Sequence, residues 1–386
     1  MQLSTPKASE EIEHPDIRVM SIECEKVGGI NLSQGVCDTP TPPAVLAGAK
    51  AAMDKGLNHY TRYDGIPELR KAIAQKADKF NHIKADAESE IVVSAGATGA
   101  LFSAMLALLQ SGDEVVLFEP YYGYHLQTIL AVGARPRYVR TTPPDWNFEL
   151  ADLERAITPK TKAIILNTPS NPSGKVFTRE ELNQIADVCE KHDLLVFTDE
   201  IYEYFTYDGV EHISPASLPK LRGRTITISG PSKTFSITGW RVGYCICGLE
   251  QKERIGNAND LLYVCSPSPL QAGVAAGMES LPASFYESLC KMYKTKRDML
   301  CQTLKTAGLT PYVPKGAYYV LADVSRLPGS GSKEKAMHLL RTAGVATVPG
   351  RAFYHDKSGE HLVRFCFAKN DSDLQEACAR LRKLKI

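Results

Sequence analysis

The sequence predicts an α/β fold in which a large, mostly parallel, doubly wound sheet is covered by helices and joined by a smaller α+β domain. Three observations predict it. From residue 90 to about residue 230, short β-prone runs alternate with stretches of helical periodicity, the pattern of right-handed βαβ units. Beyond about residue 280 that alternation stops, and one long helix, a few strands and a closing helix follow. Finally, 386 residues are enough for a large core and more than one domain. The expected division is a large domain over residues 45–283 and a small one formed from residues 1–44 and 284–386, closing over a site at their junction.

The elements follow in order. The N-terminal segment shows little periodicity until Ile30–Gly35, a short strand ending in glycine, and the proline-rich link Thr39–Pro43 then marks a boundary. An alanine-rich helix is expected near Val45–Asp54 and another from Pro67 to about Phe80. Glu90–Ala95 reads as a strand, and Thr98–Leu109, apolar nearly all round, as a buried helix. Strands at Glu114–Phe118, Arg135–Arg140 and Lys162–Asn167 are separated by helices at Tyr124–Val132 and Leu150–Ile157. The segment Thr178–His192 places Leu182, Ile185, Val188 and Cys189 on one face and opens with Thr178 and Glu181 at capping-box spacing. Leu194–Thr198 and Thr225–Ser229 complete the strands of the large sheet. The second layer consists of a helix over Ser284–Ala307, strands near Tyr318–Ala322 and His361–Phe367, and a helix over Asp371–Leu384.

Composition narrows the function classes. Lys and Arg number 45 against 44 Asp and Glu, so no global field points to nucleic acid or a membrane surface. Residues 1–16 lack the basic and apolar regions of a secretion signal, and no apolar run approaches membrane-spanning length. The ten cysteines are scattered through predicted helices and strands, which fits reduced thiols and a cytoplasmic protein. Cys245 and Cys247 form a C-x-C without a second ligand pair, so they read as buried core residues, and no metal site is expected.

In an open parallel sheet, ligands bind beyond the carboxyl ends of the strands. The residues at those ends are chemically pointed. Ser232–Lys233 follows the strand Thr225–Ser229 and precedes Arg241 by eight residues. An amine there can condense with an aldehyde, and a guanidinium among glycines can grip a phosphate bidentately. Gly96–Ala97–Thr98–Gly99 ends a strand and opens a helix, offering free N–H groups to an anion. Asn171 sits in a loop stiffened by Pro169 and Pro172. Asp199 ends an apolar strand and requires a partner, either a heterocyclic N–H⁺ or a helix N-terminus. Tyr202 follows three residues later, and Tyr122 stands where a flat ring could stack. Each feature has a plain structural alternative as cap, turn or packing, but those alternatives do not predict that all fall at strand ends of one sheet.

Taken together, these segments resemble the fold-type I, pyridoxal-phosphate-dependent class I aminotransferases from about Asn31 to the C-terminus. The most specific motifs are Asn-Pro-x-Gly at Asn171, Asp-Glu-x-Tyr at Asp199 and Ser-Lys…Gly-x-Arg-x-Gly at Lys233. The stretch Val363–Lys369 is most similar to the kynurenine aminotransferase, or glutamine transaminase K, branch. The resemblance implies pyridoxal 5′-phosphate held by Lys233 as a Schiff base, with the same lysine later shuttling the substrate proton. Asp199 would pair with the ring nitrogen, Asn171 and Tyr202 with the ring oxygen, and Tyr122 would stack on the ring. The phosphate would meet Ala97, Thr98, Ser232 and Arg241, and Tyr60 from the other subunit of a homodimer. Arg364, with Asn171 and Gly35, would bind the substrate α-carboxylate.

The implied reaction is ping-pong transfer of an amino group between an amino acid and a 2-oxo acid. A cysteine-conjugate β-lyase needs the same first shell, and a non-catalytic cofactor-binding regulator is the other alternative. Three departures stand out. Gly230 occupies a position where many relatives have serine, Thr98 replaces the lysine of an aspartate-reading branch, and Ile17 stands near a tryptophan of the kynurenine-reading members. The substrate side chain is expected to meet Ile17, Tyr60 and Cys265–Ser266.

Overall fold

The structure, a computed structural model, describes residues 16–384. Its large sheet consists of β1 (Ile91–Ala95), β2 (Glu114–Glu119), β3 (Arg135–Arg140), β4 (Thr161–Asn167), β5 (Leu195–Asp199), β6 (Thr225–Ser229) and β7 (Val242–Ile246). The strands lie in the order β1-β7-β6-β5-β4-β2-β3. All neighbouring pairs from β6 to β3 are parallel. Strand β7 alone runs antiparallel, between β1 and β6.

Reversal of β7 positions the site. Its first residue, Val242, pairs with Ala95, the last residue of β1, so Arg241 emerges beside the Gly96 helix start. The parallel pairing of β4, β5 and β6 places Asn167 opposite Asp199, and Asp199 opposite Ile228. Three strand ends therefore deliver Asn171, Asp199 and Lys233 to one edge of the sheet, although the residues are far apart in the chain.

Helices cover both sheet faces. The helix Gly96–Leu108 buries seven residues, as its all-round apolar composition requires. The helix Arg179–His192 buries Leu182, Ile185, Val188 and Cys189, and its capping box forms: Glu181 N–H donates to Thr178 Oγ1, while Thr178 N–H donates to Glu181 Oε2. The expected elements recur within a few residues of their sequence bounds. The helix after Pro67 is α-helical to Lys76 and then widens into a π-turn over Ala77–Asn81.

Beyond the large sheet, a four-stranded antiparallel sheet runs Val348–Pro349, Leu362–Cys366, Tyr319–Asp323, Thr310–Tyr312. Ile30–Asn31 pairs with Val345–Ala346, which ties the N-terminal segment to this layer. The core beneath it joins Met20, Cys24 and Leu32 to Leu300, Leu339, Phe365 and Leu374. No helix among the described residues is long and apolar enough to cross a membrane.

The longer elements that were not expected are a strand and four helices. Strand β7 was read only as part of an apolar run; Cys245 within it and Cys247 just beyond it are buried at 0% and 5% exposure, as that reading required. Helices also form at Asp16–Lys26, Leu249–Tyr263, Ser268–Ser280 and Ser332–Ala343. For two of these helices the buried face explains the silence. Leu249–Tyr263 buries Lys252, Gly256 and Asn259, and Ser268–Ser280 buries Ser268, Gln271, Gly273 and Gly277. Polar and small residues facing inward leave no apolar stripe to detect.

Candidate active site

A cavity of about 470 Å³ opens at the carboxyl edge of the large sheet. Lys233, Asp199, Tyr202 and Asn171 line it from the ends of β6, β5 and β4. Ala97, Thr98, Ser232 and Arg241 line it where β1, β6 and β7 end. Tyr122 enters after β2, while Gly35 and Arg364 come from the smaller layer. Of the residues expected to bind the cofactor or the substrate α-carboxylate, Tyr60 alone stands away from the cavity wall, 82% exposed. Ile17 lines the cavity as expected; Cys265 and Ser266 do not, and Ser266 instead donates from Oγ to the Arg241 carbonyl at 3.0 Å.

Lys233 Nζ donates to the Gly35 carbonyl at 3.1 Å, and Tyr318 O–H donates to the same oxygen. Burial pushes the lysine below its ordinary pKa. Cys37, Cys366 and Asp199 pull the other way, while Arg241 adds to the depression. The amine is thereby biased toward its neutral, nucleophilic form.

Asp199 presents one carboxylate oxygen to the Ile201 N–H and the other to His125, whose Nε2 lies 2.9 Å away. Because a carboxylate only accepts, the imidazole carries its proton on Nε2. The same histidine packs edge-on against Tyr122, ring centroids 5.3 Å apart. Neither partner anticipated for Asp199 in the sequence was a histidine. The available signal was spacing: Tyr122 and His125 are three apart across a helix start, and so share a face.

A tight cradle forms where β1 and β7 meet. Gly96 has φ +81°, and a Cβ there would fall 2.4 Å from Arg241 Nη2. A Cβ on Gly243 would fall 2.2 Å from the Ala97 nitrogen. Only glycine permits this approach of backbone to guanidinium and helix start. Arg241 donates to the carbonyls of Thr238 and Ala95 at 3.0 and 3.3 Å, so it is braced beside the free N–H groups of the helix. The departure at Gly230 also has a physical reason: a Cβ would meet Gly243 Cα at 3.0 Å and the Val242 carbonyl at 3.1 Å.

Arg364 is 1% exposed. Its Nη1 donates to Asn171 Oδ1 at 2.7 Å and its Nη2 to the Ser33 carbonyl at 2.5 Å, while its Nε has no partner among the described residues. The guanidinium lies against two rings, 4.2 Å from the centroid of Tyr319 and 5.3 Å from that of Phe353. Since arginine can only donate, Asn171 must turn its oxygen to Arg364 and its amide nitrogen elsewhere. Tyr319 was also missed in the sequence. Strand register shows why it matters: Tyr319 pairs with Cys366, two residues from Arg364, and so shares its face. Tyr319 also reaches Tyr202, with 3.1 Å between the hydroxyls; burial, Tyr319 included, raises the Tyr202 pKa well above its ordinary value.

An amine, a carboxylate, a glycine-lined cradle and a buried guanidinium with an unpartnered Nε, gathered at the carboxyl edge of a doubly wound sheet, match one class, the fold-type I aminotransferases. Residues 27–381 match the family model described as aminotransferase class I and II, and the chain belongs to that family. It is 37% identical over 402 residues to kynurenine–oxoglutarate transaminase of Dictyostelium discoideum, spanning 93% of this chain and 92% of that one. Human kynurenine–oxoglutarate transaminase 1 is 33% identical over 390 residues, with 92% of each chain covered. Among solved structures, the N-succinyldiaminopimelate aminotransferase of Mycobacterium tuberculosis superposes with a TM-score of 0.95 at 33% identity, covering 98% of this chain and 99% of the other. The protein is therefore an amino-acid aminotransferase, and membership of the family implies pyridoxal 5′-phosphate as its cofactor.

Proposed function

We propose that this aminotransferase binds pyridoxal 5′-phosphate through Lys233, Asp199, Asn171, Tyr202, Tyr122 and the Ala97–Thr98–Ser232–Arg241 cradle, and exchanges amino groups between amino acids and 2-oxo acids by ping-pong half-reactions. The observation that carries the reading is the convergence of Lys233, Asp199, Asn171, Arg241 and Arg364 on one cavity. The residues fit the group: a glycine-lined cradle with a braced guanidinium suits a phosphate, and a buried guanidinium with an unpartnered Nε suits a carboxylate. When bound, the cofactor supplies an aldehyde to the lysine and an electron sink for the substrate Cα.

The chain's own residues do the rest. Asp199, held by His125, presents a carboxylate to a ring N–H⁺ and keeps that proton in place. Tyr122 covers one ring face, and Asn171 and Tyr202 bond the ring oxygen. Lys233, biased toward its neutral form by burial, would take the proton from Cα and return it to the carbon on the other side of the substrate nitrogen. Arg364, with Asn171 and the Gly35 backbone, orients the α-carboxylate so that the Cα–H faces the amine.

The proposal extends to the assembly. Residues 45–283 form the cofactor-binding body, residues 1–44 and 284–386 a smaller one that closes over the site, and two chains pair so that Tyr60 reaches its neighbour's phosphate. The high exposure of Tyr60 supports that role. Kynurenine with 2-oxoglutarate, named for several relatives, is the first substrate pair to try.

The test is a panel of amino acids added singly to the cofactor-loaded enzyme, with the visible spectrum recorded. Conversion to the pyridoxamine form, reversed by a 2-oxo acid and absent in Lys233→Ala, is expected. Full turnover in Lys233→Ala would overturn the assignment, and pyruvate release from cysteine conjugates without any oxo acid would favour β-elimination instead.

A further inference from the structure

We propose that Arg18 is the specificity residue for a second carboxylate, so that one of the two substrates is dicarboxylic: an acidic amino acid and its 2-oxo acid. The inference rests on the aminotransferase reading of the cavity.

Among the described residues, four cationic side chains line the cavity, namely Arg18, Lys233, Arg241 and Arg364, against a single carboxylate, Asp199. Three of the cations have assignments. Lys233 is the amine, Arg241 stands at the phosphate cradle, and Arg364 is built into the wall to take an α-carboxylate. Asp199 is already engaged by His125. With a phosphate at the Arg241 cradle and one substrate carboxylate at Arg364, Arg18 is the one guanidinium on the wall without an assigned partner, and a cavity walled by protein concentrates its field.

Arg18 has no structural employment that would account for it. Among the described residues it makes no hydrogen bond or ion pair, and it is exposed toward the cavity mouth. It also lies in the first turn of the helix Asp16–Lys26, where the helix dipole disfavours a cation. Asp16, two residues earlier and of the sign that suits that end, is paired with Arg351 at 3.0 Å.

The helix that carries Arg18 is fixed relative to Arg364. Asn31 Nδ2 donates to Ser21 Oγ at 3.1 Å, and Asn31 Oδ1 accepts from Ser33, whose carbonyl receives Arg364 Nη2. On the other side, Ile17 packs in the cluster containing Phe353, the ring that covers Arg364. Two guanidinium groups thus face one cavity from a braced frame, which suits a ligand carrying a carboxylate at each end.

The experiment uses the cofactor-loaded enzyme and compares kcat/KM for L-glutamate and 2-oxoglutarate with kcat/KM for L-alanine and pyruvate, in wild type, Arg18→Gln and Arg18→Lys. In Arg18→Gln the dicarboxylate-to-neutral ratio should fall about 10- to 100-fold, the range of a charge-assisted hydrogen bond. Arg18→Lys should restore part of it. Glutarate, an unreactive dicarboxylate, should displace substrate competitively in wild type and about tenfold more weakly in Arg18→Gln. An unchanged ratio, or equal losses for both substrate pairs, would overturn the role of Arg18 while leaving the aminotransferase reading intact. Absence of transamination with every pair in wild type would instead remove the reading on which it rests.

Discussion

Lys233 shows how an ordinary side chain is made reactive by its surroundings. Burial lowers the pKa of its ammonium, so the neutral amine appears at a lower pH than in an exposed lysine. The sign is fixed: capture of the cofactor aldehyde by the apoenzyme should accelerate as pH rises and level off before the ordinary lysine value of 10.5 is reached. Stopped-flow absorbance across a pH series measures this, and a rate still climbing past that value would contradict it. At Arg364, substitution by lysine keeps the charge but loses the planar fork and the contact with two rings. Arg364→Lys should raise KM for both the amino acid and the oxo acid, lowering kcat/KM about 100-fold with a smaller effect on kcat. Most of these residues were legible because each stands in a short motif at a strand end. His125 and Tyr319 were not, because their roles arise from contacts with Asp199 and Arg364 that only the folded register creates.

At the level of elements, strand β7 carries the most consequence. Its antiparallel insertion between β1 and β6 returns the chain to the helix start and creates the cradle. Gly243→Ala would drive a methyl group into the Ala97 nitrogen, part of the backbone rather than a flexible side-chain end. The cofactor dissociation constant should rise at least about tenfold, read by equilibrium dialysis, and a thermal scan of the apoprotein separates that loss from global unfolding. The alternating strands and helices of residues 90–230 were readable from periodicity. Strand β7 and the helices Leu249–Tyr263 and Ser268–Ser280 were not. Five apolar or small residues in a row do not announce a strand direction, and inward-facing Lys252, Asn259 and Gln271 disguise a buried face.

For the molecule as a whole, the pairing proposal makes a quantitative demand. If Tyr60 acts on a neighbouring chain, a mixed dimer of Tyr60→Ala and Lys233→Ala subunits contains one site with both residues intact. Mixing the two inactive proteins under exchange conditions should then restore up to about a quarter of wild-type activity, from half of the dimers bearing one good site in two. No recovery, with mixed dimers demonstrated by mass spectrometry, would place Tyr60 outside the neighbour's site. The proposed division into two bodies was suggested by the change of pattern near residue 280. The contribution of the N-terminal segment to the smaller layer is carried by Ile30–Asn31 pairing with Val345–Ala346, a contact across more than 300 residues that no local signal encodes.

The packing of Tyr319 and Phe353 against Arg364 also bears on handedness. With two rings against the guanidinium, a carboxylate bound there as proposed would approach along its edge and lie in its plane. Fixing that plane, together with the position of the amine at Lys233, leaves a bound amino acid no freedom to exchange the places of its hydrogen and side chain. A mirror-image substrate would point its side chain at Lys233 and its hydrogen at the open wall. On the proposed reading, two aromatic rings thus help the site to favour one hand of amino acid.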